Sequence, residues 1–288
     1  MKIGFAGLGV MGGPMARHLV HAGHEVMGFN RSIRKASDWA ALTGGRCAET
    51  VQAAAEGVEV FILCVGNDDD VREVVSQALP HVTQGAAIVD HTTTSATVAR
   101  EMAEMALASG RFFIDAPVSG GQAGAESGQL SVMAGGDGDA LAGVESVLKS
   151  YAKAIKYMGP SGSGQLAKMV NQIAIAGVVQ GLAEAVHFAQ LAGLDTDAVY
   201  DAISKGAAQS WQMDNRWKTM TRGEFDFGFA VDWMRKDLGL VLDEARANGA
   251  RLDMTALVDS YYAEVQAMGG ERWDTSSLAA RLQKHRHD

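Results

Sequence analysis

The chain has 288 residues, of which 47% are hydrophobic and 20% are charged, and its formal net charge is -9. This composition is typical of a folded globular protein and excludes a disordered chain, while the acidic balance argues against a nucleic-acid binder, which would present a basic surface. A chain of this length exceeds the size at which one hydrophobic core stops growing, so we expect two domains. Its two cysteines, Cys47 and Cys64, are too few for a disulfide framework or a metal cluster, and we predict no metal site.

The first predicted strand, residues 2–6, leads directly into a glycine-rich turn. The turn is Gly7-Leu8-Gly9-Val10-Met11-Gly12, and a helical pattern follows at residues 14–21. When a GxGxxG turn joins a strand to a helix, each glycine has its own role. The first allows the tight turn, the second lets a pyrophosphate approach the backbone, and the third lets helix and strand pack closely. The free N–H groups at the helix N-terminus would bind the phosphates. We therefore predict that these six residues bind a dinucleotide.

The second predicted strand, residues 24–29, ends at Asn30-Arg31-Ser32, and Arg34 and Lys35 follow. A carboxylate at this point would bind the ribose 2'-hydroxyl of NAD, whereas cations would pair with the 2'-phosphate of NADP. The sequence has cations and no carboxylate here, which favours NADP(H), with NAD(H) as the second choice. The alternative is that this segment is the basic first turn of a solvated helix.

Strand and helix patterns alternate through the rest of the first half of the chain, as in a parallel, doubly wound sheet. Ligands of such sheets bind beyond the carboxyl ends of the strands. A short segment lies near Arg46, predicted strands lie at residues 58–65, 86–90, 111–115, 130–134 and 154–157, and predicted helices lie at residues 34–42, 70–79 and 140–150.

Two strand ends in this pattern carry candidate cofactor contacts. Val65-Gly66-Asn67 follows one buried strand, and His91-Thr92-Thr93-Thr94 follows the next. We predict that Val65, Gly66, Asn67 and Thr93 contact the cofactor, while Thr94 and Ser95 are equally suited to cap the next helix, which starts near Ala96. His91 is interpreted as a loop histidine without a chemical role, because no carboxylate is paired with it in the sequence.

Small and polar residues follow the predicted strand at 111–115. They are Ala116-Pro117-Val118-Ser119-Gly120-Gly121. The Ser119 hydroxyl and the N–H groups after it would bind a carboxylate, and two successive glycines would let a ligand approach the backbone. The alternative interpretation is an ordinary turn.

A long helical pattern, residues 165–190, follows the glycines and proline of residues 159–164. It is longer than an ordinary globular helix, so we predict that it joins two domains. Lys168, Asn171 and Gln172 share one side of this largely apolar helix, although a lysine on a helix is usually a solvated surface residue.

Neither a membrane span nor a leader peptide is predicted. Glu184, His187 and several glutamines interrupt the apolar part of the long helix, so we interpret it as a buried helix. The chain starts directly on a strand, without a charged and then apolar leader. We therefore expect a cytoplasmic protein.

Only helical patterns follow the long helix, at residues 195–204, 213–220, 231–247, 255–268 and 276–284. Large aromatic residues lie on these helices, and a single copy would not bury all of their apolar surface, so we expect a homodimer or homotetramer. The sequence thus predicts an α/β protein with an N-terminal Rossmann-type doubly wound sheet over residues 1–160, and an all-helical C-terminal domain over residues 161–288 that includes the interdomain helix, residues 161–193.

The chain resembles the β-hydroxyacid dehydrogenases, also called the 3-hydroxyisobutyrate dehydrogenase family. The resemblance lies in GFAGLGVMGGPMARHL from Gly4, DAPVSGG from Asp115, GPSGSGQLAKMVNQ from Gly159 and KDLGL from Lys236, in the family's order and spacing. It implies an NAD(P)-dependent oxidoreductase that interconverts a short β-hydroxy acid and its semialdehyde or keto acid. The family includes tartronate semialdehyde, glyoxylate and succinic semialdehyde reductases, and the resemblance does not select one substrate.

The resemblance also implies residue roles. Lys168 would be the general acid/base, and Asn171 would orient the substrate, although helix geometry places Gln172 at least as well beside Lys168. The other implied roles are carboxylate binding by Ser119, Gly120 and Gly121, pocket lining by Phe229, proximity to the nicotinamide for Thr93 and a cofactor contact for Lys236. By position alone, Lys236 and Asp237 would more often be a solvated pair.

Two alternatives remain open at this point. One is an imine reductase on the same fold, in which, from family knowledge, aspartate or tyrosine usually stands at the position of Lys168. The other is a catalytically silent dinucleotide-binding protein, which we would expect to have lost the lysine or the Ser119 segment. Residues 209–229 are interpreted as a wall of the substrate site, where Arg216 either binds a second polar group of the substrate or lies on the surface.

Overall fold

The computed structural model describes residues 1–284, which form two compact units divided after Lys168. The division falls inside the long helix, because the first turns of that helix pack in the first unit. The boundary predicted at residue 160 stays a prediction.

One nine-stranded sheet forms the centre of the first unit. The strands are β1 (Lys2–Ala6), β2 (Glu25–Phe29), β3 (Arg46–Ala48), β4 (Val60–Leu63), β5 (Ala87–Asp90), β6 (Phe112–Asp115), β7 (Val118–Ser119), β8 (Leu130–Gly135) and β9 (Ala152–Gly159). Strands β3, β2, β1, β4, β5 and β6 lie side by side in this order and are parallel. This is the strand order of a dinucleotide-binding sheet, so the predicted fold class is confirmed.

The seven helices of the first unit that lie between its strands cover both faces of the sheet. β4 shows how this works: Val60 and Ile62 belong to the core on one face, and Phe61 and Leu63 belong to the core on the other. Successive side chains of a strand point to opposite faces, so a strand covered on both faces is apolar throughout. The helices are α1 (Gly12–His21), α2 (Ile33–Thr43), α3 (Val51–Ala55), α4 (Asp68–Ala78), α5 (Ala96–Ala108), α6 (Gly121–Ser127) and α7 (Gly138–Leu148).

The far side of the sheet differs from the simple parallel prediction. β8 runs antiparallel to β6 and β7, and β9 pairs parallel with β8. Strand β7 and the helices α3 and α6 are absent from the prediction. All three are short, and α6 has the sequence GQAGAES, whose two glycines indicate a turn rather than a helix.

The second unit is helical. Its helices are the greater part of α8 (Ser163–Leu191), then α9 (Thr196–Ile203), α10 (Trp211–Arg222), α11 (Val231–Asn248), α12 (Asp253–Ala267) and α13 (Leu278–Lys284), with a 3-10 turn at Thr275–Ser277. They enclose a core of their own, in which Trp217 and Tyr262 are the largest fully buried side chains. Within the described residues after Met169 no strand forms beyond a single bridge between Ala230 and Asp274, as predicted.

Helix α8 is long and apolar enough to cross a membrane by length and composition. It has 29 residues, and 44% of its most apolar window is buried inside the protein. The core helix of a soluble protein passes the same test, so this is weak support for a membrane span. The cytoplasmic location stays a prediction.

Candidate active site

The glycine-rich turn between β1 and α1 is shaped by three glycines with different surroundings. Gly7 has a φ of 96°, and a Cβ there would overlap the carbonyl oxygen of Cys64. A Cβ on Gly12, the first residue of α1, would overlap the carbonyl oxygen of Gly7. By contrast, a Cβ on Gly9 would meet nothing within 4 Å. The turn is therefore packed tightly at both ends and open at Gly9, where the backbone is accessible.

The end of β2 lies beside this turn. Asn30 Oδ1 accepts a hydrogen bond from the N–H of Leu8 at 3.1 Å, so the Asn30 side chain ties the two segments together. The Arg31 side chain is 82% exposed, and its Nη1 lies 3.3 Å from Asp70 Oδ1. The structure thus brings a carboxylate from the first turn of α4 to a segment that has none in its own sequence. Ser32 stands at the N-cap position of α2 without a side-chain cap hydrogen bond.

The segment after β4 is held by its neighbours. The N–H of Val65 donates to Thr92 Oγ1 at 3.0 Å, and the N–H of Gly66 donates to Asp70 Oδ2 at 3.0 Å. Asn67 Oδ1 accepts from the N–H of Asp70 and so caps α4. The Asn67 side chain therefore has a structural role, whatever it contributes to ligand binding.

Gln165 and Asp115 are functional candidates that the sequence analysis does not identify. Gln165 is fully buried and hydrogen bonds through its side chain to the backbone of Thr92 and Thr94. Asp115 is also fully buried and accepts from the N–H groups of Gly162 at 2.8 Å and Gln165 at 3.0 Å. In the sequence both residues lie in stretches that carry the resemblance, DAPVSGG for Asp115 and GPSGSGQLAKMVNQ for Gln165, but no spacing or periodicity assigns either of them a role.

Burial raises the pKa of the Asp115 carboxyl to about 6, although the N–H groups of Gly162, Gln165 and Gly164 oppose this effect. Little space is left around the carboxylate, because a Cβ on Gly135 or on Gly164 would come within 3.0 Å of its oxygens. Asp115 thus fixes the first turn of α8 to the end of β6.

Lys168 lies in the second turn of α8 and is 8% exposed. Its Nζ donates a hydrogen bond to the carbonyl oxygen of Val118 at 2.9 Å. The next residue is Ser119, which is partly buried and begins the segment with Gly120 and Gly121. These glycines have φ angles of 130° and 60°, conformations that residues with a Cβ rarely adopt. The structure therefore brings the Lys168 amine to the backbone beside Ser119, and Lys168 is not a solvated surface lysine.

Three predicted site residues lie in the second unit. Asn171 Nδ2 donates to Gln172 Oε1 at 2.8 Å, and Gln172 Nε2 donates in turn to Asp237 Oδ2 at 2.7 Å. Gln172 is 3% exposed, whereas Asn171 is partly exposed; of the two amides, Asn171 is thus the more accessible. Lys236 Nζ lies 3.2 Å from Asp237 Oδ1, and Phe229 is 38% exposed.

His91 and Arg216, which the sequence analysis also considers, are both held by partners inside the protein. His91 is buried, with Nδ1 2.6 Å from the carbonyl oxygen of Ala116 and Nε2 2.7 Å from the Tyr151 hydroxyl. Burial lowers its pKa to about 4. Arg216 forms an ion pair with the buried Asp274, with 2.9 Å between Nε and Oδ1. Its guanidinium is therefore largely buried and has a counter-ion.

The first unit fits a dinucleotide. The open backbone at Gly9 lies immediately before α1, whose N-terminal N–H groups suit a pyrophosphate. The exposed Arg31 is at the end of β2, where the ribose of such a cofactor binds in this type of sheet. Within residues 1–284, no group of three or more His, Cys, Asp or Glu side chains is arranged to hold a metal ion.

Comparisons with known proteins agree with this arrangement. Residues 2–159 match a family described as the NAD binding domain of 6-phosphogluconate dehydrogenase. Residues 162–282 match one described as the NAD-binding of NADP-dependent 3-hydroxyisobutyrate dehydrogenase. A nicotinamide dinucleotide is therefore the cofactor.

Relatives match the chain over almost its whole length. It is 58% identical to an uncharacterized oxidoreductase of Shewanella frigidimarina, with 99% of each chain covered. It is 33% identical to the 2-hydroxy-3-oxopropionate reductase of Escherichia coli, with 98% of this chain and 97% of the relative covered. The solved structure of Mycobacterium tuberculosis 3-hydroxyisobutyrate dehydrogenase with L-serine superposes with a TM-score of 0.89 at 32% identity, covering 98% of this chain and 99% of that one.

The imine reductase alternative receives less support. A solved imine reductase from Pseudomonas sp. has a TM-score of 0.60 at 21% identity and so shares the fold alone. The family matches and the enzyme names of the full-length relatives argue equally against a catalytically silent protein. The chain belongs to the β-hydroxyacid dehydrogenase family and is an NAD(P)-dependent hydroxyacid dehydrogenase.

Proposed function

We propose that the protein interconverts a short β-hydroxy acid and its semialdehyde, with Lys168 as general acid/base and NADP(H) as the preferred cofactor. The observation that carries this proposal is the buried amine of Lys168, held 2.9 Å from the carbonyl oxygen of Val118. Burying an ammonium group is costly unless the site uses or pairs it. The amine thus lies at the residue before Ser119, which suits proton transfer to a substrate whose carboxylate is bound by Ser119, Gly120 and Gly121.

The reaction needs a hydride and a proton to move together. The bound nicotinamide supplies or accepts the hydride. In the reductive direction Lys168 Nζ donates its proton to the carbonyl oxygen of the substrate, and in the oxidative direction the neutral amine accepts the hydroxyl proton. The hydrogen bond to Val118 uses one of the three N–H groups of the ammonium, so the other two point in restricted directions.

The segment from Ser119 to Gly121 holds the substrate in this proposal. The Ser119 hydroxyl and the N–H groups of Gly120 and Gly121 bind its carboxylate. A fixed carboxylate places the reacting carbon within reach of both the hydride and Lys168, which converts binding energy into orientation. The roles of Asn171 in orienting the substrate, of Phe229 in lining its pocket and of Lys236 in cofactor binding remain predictions from the resemblance.

The exposed guanidinium of Arg31 supports the preference for NADP(H). Its carboxylate partner is Asp70, at 3.3 Å, and an ion pair whose guanidinium is this exposed contributes little and is easily exchanged for a phosphate. The description of the family that matches residues 162–282, which names NADP-dependent 3-hydroxyisobutyrate dehydrogenase, agrees with this choice. We expect Arg31→Ala to raise the Kd of NADP+ about tenfold and to leave that of NAD+ nearly unchanged; equal losses for both cofactors would contradict the assignment.

The test of the whole proposal is NADPH or NADH consumption with glyoxylate and with succinic, methylmalonic and tartronate semialdehydes. Lys168→Ala should lower kcat at least about a thousandfold, because general acid/base catalysis is lost, while the Kd of NADP+ stays within about twofold. Lys153→Ala, which changes an exposed lysine, is the matched control. Turnover that survives in Lys168→Ala would remove the proton-transfer role, and reduction of imines alone would move the protein to the alternative activity.

We also propose that the protein forms a homodimer or homotetramer. Large apolar side chains on α8 are exposed in the single chain, among them Val170 at 66%, Phe188 at 71% and Leu191 at 57%. Exposed apolar residues grouped on one element are typical of an interface. Light scattering should show an assembly larger than the monomer, and Phe188→Glu should weaken it.

A further inference from the structure

Gln165 spans two segments that are far apart in sequence. Its Nε2 donates to the carbonyl oxygen of Thr92 at 2.8 Å, and its Oε1 accepts from the N–H of Thr94 at 3.0 Å. The side chain has no exposed surface, so both ends of its amide are used inside the protein. A buried amide satisfied by two backbone groups holds those groups in a fixed relative position.

The two groups that Gln165 binds flank Thr93. Thr92 is held further by its own N–H, which donates to Asp90 Oδ1 at 2.8 Å, and by its hydroxyl, which accepts from the N–H of Val65. Thr93 itself is only partly buried. The backbone is thus fixed immediately before and after the one residue of residues 92–94 that remains accessible.

The other end of Gln165 belongs to the helix that carries Lys168. Its N–H donates to Asp115 Oδ2 at 3.0 Å, which fixes the first turn of α8. Lys168 lies three residues further on, nearly one turn away, with its amine held by the carbonyl oxygen of Val118. A single side chain therefore connects the segment around Thr93 with the turn that precedes Lys168.

We propose that Gln165 is a positioning residue, which sets the placement of residues 92–94, and through Thr93 that of the nicotinamide, relative to Lys168. The proposal rests on the proposed function, because it assigns the hydride side to Thr93 and the proton side to Lys168. Gln165 does not touch the reacting atoms. It acts by keeping two segments in register, so its loss misplaces the reactants without removing a reacting group.

The test uses Gln165→Met, which keeps the length of the side chain and removes both hydrogen bonds. In single-turnover reduction with NADPH and whichever of the four aldehyde acids the wild type reduces fastest, the rate constant should fall at least about tenfold while the amplitude stays unchanged. A role in stability alone would lower the amplitude, which counts folded enzyme, and leave the rate constant. Such a result would overturn the proposal, as would a rate constant within about twofold of wild type.

A binding measurement tests the same residue without turnover. The Kd of NADPH should rise in Gln165→Met, by about threefold or more, whereas the Kd of 2'-phospho-ADP-ribose, which lacks the nicotinamide, should not change. Equal Kd changes for the two ligands, or none, would contradict the proposal. If the wild type reduces none of the aldehyde acids, the proposed function fails, and this comparison still decides the role of Gln165.

Arg111→Met is the matched control. The Arg111 side chain also makes hydrogen bonds to backbone groups, here the carbonyl oxygens of Val82 and Ser109, but it lies at the amino ends of the parallel strands. Its substitution removes a similar set of hydrogen bonds at the opposite edge of the sheet from the strand ends where ligands bind. We expect a lower Tm with an unchanged hydride-transfer rate constant.

Discussion

The glycine-rich turn after β1 and the start of α8 are built by opposite means, although both belong to the first unit and both carry predicted site residues. At the turn, the absence of side chains makes the structure: Gly12 lets α1 touch Gly7, and Gly9 leaves the backbone open. At the start of α8, buried polar side chains make the structure: Asp115 and Gln165 take up backbone groups that would otherwise be unsatisfied.

This difference determines how each region responds to change. The glycine turn is intolerant of added atoms at Gly7 and Gly12, where it packs against backbone, and it has no group that titrates. Space is limited at the start of α8 as well, since a Cβ on Gly164 would overlap the carbonyl oxygens of Met133 and Asp115, but the stability of this region depends in addition on a titrating carboxyl and therefore on pH. The three predictions below test this contrast in order of decreasing effect.

The largest effect is expected at Gly12. In Gly12→Ala the added methyl group overlaps the carbonyl oxygen of Gly7 and comes within 3.0 Å of the Phe5 ring, so α1 must move away from β1. Overpacking against backbone should lower the free energy of unfolding by about 3 kcal/mol, by the same amount at pH 4 and pH 7. Urea denaturation of the variant and the wild type at the two pH values measures the loss and shows whether it depends on pH.

Gly13→Ala is the control for this prediction. Gly13 is the next residue of α1, and a Cβ there would meet its nearest neighbour, the Leu8 carbonyl oxygen, at an ordinary 3.5 Å. Alanine is favoured over glycine within a helix, so this variant should be as stable as wild type or more stable. A similar loss in both variants would show that helix α1 is sensitive as a whole and would contradict the special role of Gly12.

The contrast also explains which features the sequence could predict. The glycine turn, the alternation of strands and helices, and the helices after Leu191 follow from local motifs and from periodicity, and these were predicted. Lys168 and Ser119 were identified by motif, but their proximity depends on a hydrogen bond between residues 50 positions apart. Gln165 and Asp115 act through partners 47 to 73 residues away, and although both lie in the stretches that carry the resemblance, no local pattern assigns them a role.

The second prediction concerns Asp115, whose pKa is raised to about 6 by burial. Between pH 4 and pH 6 the folded protein therefore holds more protons than the unfolded chain, so the contribution of Asp115 becomes less favourable as the pH rises through this window. Asp115→Asn has no such titration. The stability of the variant relative to wild type should rise by about 2 kcal/mol from pH 4 to pH 6, on top of a constant loss from weaker hydrogen bonds to the N–H groups of Gly162 and Gln165.

His91 provides the opposite case. Because burial lowers the pKa of His91 to about 4, the unfolded chain takes up the proton first, and stability is lost as the pH falls from 6.5 to 4. The stability of His91→Gln relative to wild type should therefore fall as the pH rises through the same window. Relative stability that changes with pH in the same direction for both variants, or that does not change with pH for Asp115→Asn, would refute the electrostatic account of the start of α8.

The smallest effect is expected at Gly9, and it separates binding from folding within the glycine turn. In Gly9→Ala the new methyl group meets nothing within 4 Å, and Gly9 is not among the glycines with a positive φ, so the fold has no reason to change. The same methyl group would occupy the space through which a pyrophosphate approaches the backbone. We expect an unchanged or slightly raised Tm and a Kd for NADP+ that increases about tenfold, or about 1.4 kcal/mol. Calorimetric titration and thermal unfolding of the same sample decide the matter: a lowered Tm would place Gly9 with Gly12 as a packing residue, and an unchanged Kd would move the phosphates away from this turn.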